Sequence, residues 1–171
     1  MAHDKIDLML EQILKSEGGY VNNPKDKGGE TKYGITVAVA RANGYKGSIK
    51  NLPKQTAIDI YKRQYWTDAC NKINSEKIAF MVLDMNVNHG IKNSAKILQR
   101  ALNSLGAGLV VDGIVGEKTI SAVNVISGSR LSLALTAERL KFYTNIATFN
   151  TFGKGWVRRV VDNLKFIDEL F

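Results

Sequence analysis

Carboxylate side chains are the most promising chemical groups in this sequence, because the residues of most other catalytic routes are scarce. The chain has one cysteine, Cys70, and two histidines, His3 and His89, and it contains neither a GxGxxG nor a GxxxxGK nucleotide loop. These counts exclude a cysteine-rich zinc site and leave little for a nucleophilic triad. We therefore expect chemistry that uses no metal and no cofactor, such as general acid catalysis by a protonated carboxyl group.

Glu17 and Asp26 are the best candidates for an acid and its ionised partner. Glu17 ends a predicted helix near Tyr20 and Ile35, and both the apolar neighbours and the negative end of the helix favour its protonated form. Asp26 lies in a polar turn between two lysines, where the charged form is favoured. Hydrolysis of a glycosidic bond needs this division of labour. The alternative is a solvated helix end and a turn aspartate.

The elements that must position these residues are almost all helical. Apolar residues at three- and four-residue steps predict a first helix up to Lys15 or Ser16, stopped by Gly18-Gly19. A turn-rich excursion with room for short strands then runs to Gly34. Further helices are predicted at 37–42, from Pro53 onward, and at 75–90, 94–105, 117–126, 130–147 and 156–170. Thr36 is a candidate cap for the helix at 37–42, Gly90 ends the helix at 75–90, and a stretch rich in glycine and valine interrupts the helices at 107–116. We predict a mainly α fold with a small Gly-rich loop or β-hairpin.

The composition is that of a globular protein with a packed core. The chain has 171 residues, of which 44% are hydrophobic and 23% charged, and its net charge is +8. The charge favours anionic partners such as nucleic acid, acidic lipids or the acidic polymers of a bacterial envelope. Residues 1–14 lack the pattern of a Sec signal peptide, and the longest apolar run, 78–83, is far shorter than the about 20 residues of a membrane span. We expect synthesis in the cytoplasm and no stable membrane insertion.

The stretch from Glu17 to Thr36 resembles a family signature. It reads EGGYVNNPKDKGGETKYGIT and is similar to the signature of the bacterial and phage muramidases of glycoside hydrolase family 108, in the lysozyme-like superfamily. The likeness covers nearly the whole chain and continues through 84–90, 95–102, 111–119 and 138–159. It implies N-acetylmuramidase activity on peptidoglycan. It also implies a lysozyme-like helical catalytic lobe over 1–92, packed against a helical, peptidoglycan-binding-like lobe over 93–171.

The resemblance assigns catalytic roles to three residues. The family's catalytic glutamate falls on Glu17, and the superfamily pattern of an acidic residue followed by a threonine falls on Asp26 and Thr31. Glu17 would protonate the oxygen that bridges N-acetylmuramic acid and N-acetylglucosamine, while Asp26 and Thr31 hold the attacking water. The product would be inverted if the carboxyl groups lie about 6.5–9.5 Å apart, whereas a separation of about 5 Å would indicate retention.

The partner of Glu17 has alternatives, because this chain departs from its relatives in the loop. It has Asn23-Pro24 and Asp26-Lys27 where relatives often have Asp-Pro. Glu30 or Thr36 could position the water instead of Asp26.

Substrate contacts are predicted for a further set of residues. The aromatic members could stack on sugar rings, and the asparagine could hydrogen-bond an N-acetyl group. The set consists of Tyr20, Tyr33, Thr36, Trp66 and Asn88. For the aromatic side chains, packing in the core is the alternative.

Structural roles are predicted for several other residues. Cys70 is predicted to be a buried, inert thiol, and His89 a helix-end histidine whose hydrogen bonds are satisfied. The segment 112–119 resembles the turn of peptidoglycan-binding helical modules, with a plain loop and helix cap as the alternative. The last helix, with Trp156, Val157, Val160, Val161, Leu164 and Ile167 on one side, is predicted to face the core rather than a membrane surface.

Three functions follow from these observations. The leading hypothesis is a cell-wall glycosidase that acts on the glycan strand of peptidoglycan after release by a holin or a secretion route. We expect it to be a monomer, with a dimer as the alternative. The second is a noncatalytic wall-binding or secretion-accessory protein with the same fold. A nucleic-acid binder is the third and is disfavoured, because the basic residues are scattered and form no dense stripe.

Overall fold

The computed structural model describes residues 3–22 and 29–171 and divides the chain into two compact units. The N-terminal unit is Met1–Trp66 and the C-terminal unit is Thr67–Phe171. Asp26 lies outside the described residues. The domain boundary after residue 92 stays a prediction.

In the N-terminal unit, α1 packs against α3 and a small sheet lies between them in the chain. Its elements are α1 His3–Glu17, β1 Tyr20–Val21, β2 Thr31–Lys32, β3 Ile35–Thr36, α2 Val37–Ala42, a 3-10 turn Ile49–Asn51, and α3 Lys54–Tyr65. The apolar stripe of α1 is buried, as its helical spacing predicts. Gly18, at φ +89°, follows the helix directly and allows the chain to leave it.

The sheet is a three-stranded antiparallel meander in the order β1-β2-β3. A two-residue turn, Tyr33-Gly34, joins β2 to β3, and both residues have positive φ angles, +55° and +70°. Positive φ at both central residues is what a type I′ hairpin turn requires. Because residues opposite each other in a ladder share a face, Val21, Thr31 and Thr36 lie on one face of the sheet and Tyr20 on the other.

The C-terminal unit consists of six helices within the described chain. They are α4 Asp68–Lys72, α5 Glu76–His89, α6 Ile91–Ser104, α7 Glu117–Val125, α8 Gly128–Thr144 and α9 Phe149–Leu170. Helix α5 is buried on every side from Ile78 to Asn86, and α6 and α8 pack on it. Its N-terminus is capped by Ser75, whose hydroxyl accepts a hydrogen bond from the Ile78 N–H at 3.5 Å.

The prediction of a mainly α fold is confirmed, with two local differences. The short helix α4 was not predicted, and α9 begins at Phe149 rather than at Trp156. Two glycines made residues 149–155 a poor helix candidate. Gly153 is nevertheless required there, because the Phe149 ring lies against it and a Cβ at this position would approach that ring to 2.6 Å.

The prediction that the last helix faces the core is correct for only part of its apolar residues. Trp156 stacks on Tyr143 with ring centroids 5.3 Å apart, and Val160 and Ile167 are buried. The other three, Val157, Val161 and Leu164, are 39–44% exposed. Six apolar positions span a wider arc of a helix than one contact with the core can cover.

Among the described helices, none is by itself long and apolar enough to cross a bilayer. Helices α7 and α8 are long and apolar enough only when they are taken together, and they are bent by 119° relative to each other.

Candidate active site

Glu17 is the last residue of α1 and lies half-buried at the point where the chain turns toward the sheet. Its side chain faces the hairpin turn: a Cβ placed on Gly34 would lie 3.0 Å from Glu17 Oε2. A glycine at the turn therefore lets the backbone approach the carboxylate closely. The same position needs glycine for its positive φ, so one residue serves the turn and the site.

Tyr61 approaches Gly34 from α3, and its hydroxyl would lie 2.8 Å from the same Cβ. The side chain is 4% exposed, and the hydroxyl donates a hydrogen bond to the Tyr33 carbonyl at 2.8 Å. Thus α3 holds the hairpin turn against the end of α1. Sequence analysis missed this residue, because helical spacing predicts its burial but not what its hydroxyl reaches.

A second contact holds the hairpin through a side chain of β2. The Lys32 ammonium group donates to the Lys50 carbonyl at 2.9 Å and lies 5.3 Å from the centre of the Tyr33 ring. The turn residues are therefore fixed by two elements, α3 and the 3-10 turn.

A groove of about 410 Å³ lies beside Glu17 within the N-terminal unit. Its lining combines the last turns of α1, the two glycines that follow Glu17, the hairpin turn and the start of α3: Glu11, Leu14, Lys15, Gly18, Gly19, Tyr33 and Lys54. Lys54 Nζ and Glu11 Oε2 form an exposed ion pair of 2.8 Å. The groove is open, and its lining combines charged side chains, apolar carbon and the Tyr33 ring; Glu17 itself is not a lining residue, but the next residue, Gly18, is.

The other predicted catalytic residues have different outcomes. Thr31 lies on β2, half-buried and opposite Thr36. Thr36 begins α2 and its hydroxyl accepts a hydrogen bond from the Val39 N–H at 3.2 Å, which confirms its predicted role as a helix cap. The separation of Glu17 and Asp26 is not described, so the role of Asp26 stays a prediction.

Glu30 and Tyr20 lie at the outer end of the sheet. The Asn22 side-chain amide donates to Glu30 Oε1 at 3.4 Å. Desolvation and the hydrogen bond with Glu30 raise the pKa of the Tyr20 hydroxyl. Tyr20 is exposed, but it is on the face of the sheet opposite Thr31.

The remaining predicted contacts, Trp66 and Asn88, belong to different units. Trp66 is half-buried at the C-terminal end of α3. Asn88 lies on α5 in the C-terminal unit, where its Oδ1 accepts a hydrogen bond from the Tyr143 hydroxyl at 3.2 Å. The roles of both in substrate binding stay predictions.

A second carboxylate, Asp84, forms the centre of a buried ion cluster in the C-terminal unit. Asp84 is 0% exposed; Arg139 Nη2 lies 2.6 Å from its Oδ2, and Arg159 Nη2 lies 2.8 Å from its Oδ1. Burial alone would favour the neutral carboxyl group, but the two guanidinium groups lower the pKa of Asp84 below its usual range. The cluster joins α5, α8 and α9. Two of the segments that carried the family resemblance, 84–90 and 138–159, therefore meet in a structural core.

His89 lies next to this cluster and is only partly as predicted. It is in the last turn of α5, edge-on to the rings of Phe142 and Tyr143 at 5.1 and 5.2 Å. Burial and the nearby Arg139 lower its pKa to about 3. Its Nε2 has no hydrogen-bond partner among the described residues, so the prediction that its hydrogen bonds are satisfied is wrong.

Cys70 is fully buried, as predicted. Burial raises the pKa of its thiol, which makes the reactive thiolate less accessible. Across residues 3–22 and 29–171, no group of three or more His, Cys, Asp or Glu side chains is arranged to hold a metal ion.

The chain is similar to known proteins over most of its length. The family model described as glycosyl hydrolase 108 matches residues 10–90, and one described as a predicted peptidoglycan domain matches residues 93–161. A solved structure, that of Brucella abortus SagA, is similar over 97% of this chain and 95% of its own, with 33% sequence identity and a TM-score of 0.76. Among curated proteins, no relative matches.

The mainly α, lysozyme-like fold and the match to the glycosyl hydrolase 108 model identify a glycoside hydrolase. The chain belongs to the glycosyl hydrolase 108 family. It is a peptidoglycan hydrolase of the muramidase family, and peptidoglycan is its partner.

Proposed function

We propose that this protein cleaves the β-1,4 bond between N-acetylmuramic acid and N-acetylglucosamine, as a lysozyme does, with Glu17 as the general acid. The observation that carries the proposal is the contact of Glu17 Oε2 with the Gly34 turn, at the edge of a groove of about 410 Å³. Both lie within the N-terminal unit, where the match to the glycosyl hydrolase 108 family begins. An acid must reach the bridging oxygen of a bound glycan, and a groove beside it provides that access.

In the proposed reaction, Glu17 gives its proton to the bridging oxygen as the glycosidic bond breaks. Positive charge then develops at the anomeric carbon, and a water held by Asp26 and Thr31 attacks from the opposite face and loses a proton to the base. The product is inverted. Glu30 and Thr36 are the alternative partners, although the Thr36 hydroxyl already accepts the capping bond of α2.

The surroundings of Glu17 support a site that is ready before substrate arrives. The Tyr61 hydroxyl and the Lys32 ammonium group fix the hairpin backbone opposite the carboxylate. A catalytic group held by rigid elements loses little freedom when the substrate binds. The Tyr33 ring at the groove provides an apolar face for a sugar ring.

The rest of the molecule has a proposed part in reaching the wall. Residues 1–92 are the proposed catalytic domain and 93–171 the wall-binding domain. The net charge of +8 would concentrate the enzyme on anionic wall polymers, so raised salt should weaken its association with walls. We propose that it acts on the cell wall as a monomer, after release by a holin or a secretion route.

Glu17→Gln tests the proposed acid. The amide keeps the shape of the side chain but cannot supply the proton, so release of reducing ends from purified peptidoglycan should fall by about a thousandfold. Asp59→Asn is the matched control, because Asp59 is an exposed acid on α3 in the same unit and does not line the groove. It should retain activity within a fewfold. Thermal unfolding of both variants should stay close to that of the parent protein.

Mass spectrometry of the released fragments tests the bond. N-acetylmuramic acid at the new reducing ends supports the proposal, whereas N-acetylglucosamine or an anhydro sugar would assign a glucosaminidase or a lytic transglycosylase. A Glu17→Gln protein that still clears walls would remove Glu17 as the acid. Wall binding with no new reducing ends in the parent protein would favour the noncatalytic alternative.

A further inference from the structure

A second cavity lies in the C-terminal unit, away from any residue given a catalytic role above. It encloses about 380 Å³ between the loop that follows α6 and the first turn of α7. The loop and the first turn of α7 together contain the segment 112–119, which resembles the turn of peptidoglycan-binding modules and for which a plain loop and helix cap was the alternative.

The loop is held in a defined shape by one buried side chain, Gln99 of α6, which is 1% exposed. Its Nε2 donates to Asp112 Oδ1 at 2.7 Å and to the Ile114 carbonyl at 3.0 Å, and its Oε1 accepts from the Gly113 N–H at 2.9 Å. Asp112 Oδ1 also accepts from the Ile114 N–H at 2.8 Å. The hydrogen bonds from Gln99 and Ile114 lower the pKa of Asp112, so its carboxylate is ionised at neutral pH. A loop fixed in this way is unlike a plain connection.

The polar groups at the cavity are set up for a ligand. Thr119 lines the cavity and is 4% exposed, yet its hydroxyl takes part in none of the hydrogen bonds found among the described residues. The first N–H groups of α7 have no partner within the helix, and Gly116 provides no side-chain cap. Lys118 and Glu117 also line the cavity, and the Glu117 carboxylate is paired with the Lys72 ammonium group at 2.6 Å, which leaves the Lys118 charge for a ligand. Together these groups favour a carboxylate.

The apolar groups at the cavity are aliphatic. Val110 and Ile114 line it and are 78% and 68% exposed, which is unusual for side chains of this kind. Sugar rings stack on flat aromatic side chains. None of the described residues that line this cavity is aromatic, in contrast to the groove beside Glu17 with its tyrosine.

We propose that this cavity binds the peptide stem of peptidoglycan, not its glycan strand. A carboxylate of the stem lies at the N-terminus of α7 beside Lys118, and a methyl side chain such as that of D-alanine packs on Val110 and Ile114. The Thr119 hydroxyl and the Asp112 carboxylate receive the amide or ammonium groups of the peptide. The proposal rests on peptidoglycan being the substrate and adds which of its two components the C-terminal unit recognises.

The test uses the full-length protein and two soluble probes. One is the free stem peptide L-Ala-γ-D-Glu-diaminopimelate-D-Ala, and the other is glycan strands stripped of peptide by an amidase. In nitrogen-15 NMR spectra the peptide should shift the amide signals of Gly108, Gly116 and Lys118 in a saturable way. The stripped glycan should leave these three signals in place.

Variants at the cavity test whether the peptide binds there. Thr119→Val keeps the shape of the side chain and removes the hydroxyl, and Val110→Ser removes an apolar contact; each should weaken peptide binding about tenfold. Val125→Ser is the matched control, because Val125 is 86% exposed in the same unit and does not line the cavity. It should bind like the parent protein. Since Val110 is so exposed, its variant should fold even if Thr119→Val does not.

The outcomes separate this proposal from the proposed activity. Shifts caused by stripped glycan rather than by peptide, or equal peptide affinity in Val110→Ser and Val125→Ser, would overturn the peptide site. Hydrolysis is read independently from reducing ends. An active Glu17→Gln protein together with saturable peptide shifts would therefore reject the proposed acid and still support the cavity.

Discussion

Glu17 and Asp84 are both carboxylates on helices of this protein, but their surroundings differ in every respect that matters for chemistry. Glu17 is half-buried at a helix end, against a glycine turn and beside an open groove. Asp84 is fully buried within a helix and is held by two guanidinium groups. The first carboxylate can be reached by a substrate and the second cannot.

The difference shows that the segments that carry the family resemblance contain two kinds of residue, those at the candidate site and those that stabilise the core. The segment around Glu17 is rich in glycine because backbone must approach a side chain and turn tightly beside it. The segments around Asp84, Arg139 and Arg159 are structural, because the loss of one member of the cluster would leave buried charge without its partner. A motif by itself does not tell which of these reasons applies.

Asp84→Asn should produce the largest change in stability. The neutral amide would leave two buried guanidinium groups without an opposite charge, so the free energy of unfolding should fall by about 3–5 kcal/mol. Glu117→Gln is the control, because it breaks an exposed ion pair with Lys72 of 2.6 Å, which water screens, and should change the stability far less. Urea unfolding measures both. Equal losses in the two variants would show that the buried cluster does not stabilise the unit.

Acid should weaken the same region through His89. The pKa of this histidine is about 3 in the folded chain and 6.5 in the unfolded one, so below pH 6.5 the unfolded chain binds a proton that the folded chain refuses. Stability should therefore decrease as the pH falls, by about 2 kcal/mol between pH 6.5 and 5. Asp84 adds its own loss only below about pH 4, where its unfolded form takes up a proton.

Unfolding measured at pH 7, 6 and 5 tests this dependence. The His89→Gln variant should lack most of the slope between pH 6.5 and 5, because glutamine does not titrate. A slope that is the same in the variant and the parent protein would assign the acid sensitivity to other groups.

Gly34→Ala should have the smallest effect on stability and act mainly on the site. Any L-residue at φ +70° is strained by about 1–2 kcal/mol, and here the methyl group would also press on Glu17 and Tyr61. Gly44→Ala is matched for strain, with φ +85° and open space around the new Cβ. We expect similar losses of stability but at least about a tenfold lower rate of wall hydrolysis for Gly34→Ala alone. Equal rates of wall hydrolysis in the two variants would show that the Gly34 turn does not contribute to the active site.

Much of the fold could be predicted from residue spacing. The stripe on α1, the Thr36 cap, Gly90 after α5 and the interruption before α7 are local signals, and each appears in the structure where the sequence indicates it. The start of α9 was missed for a local reason as well, since Gly153 and Gly155 argue against a helix. The contact of Phe149 with Gly153, four residues further along the same helix, is a packing detail that glycine's low helix propensity does not indicate.

The family and the candidate acid, Glu17, could thus be inferred from the sequence alone, because a glycine-rich signature next to a helix end is a property of neighbouring residues. The tertiary structure decided what surrounds each group. Only folding brings the Tyr61 hydroxyl to the turn beside Glu17, two distant arginines to Asp84, and Gln99 to the loop before α7. These contacts join residues far apart in the chain, and their partners depend on how helices pack rather than on any spacing along it.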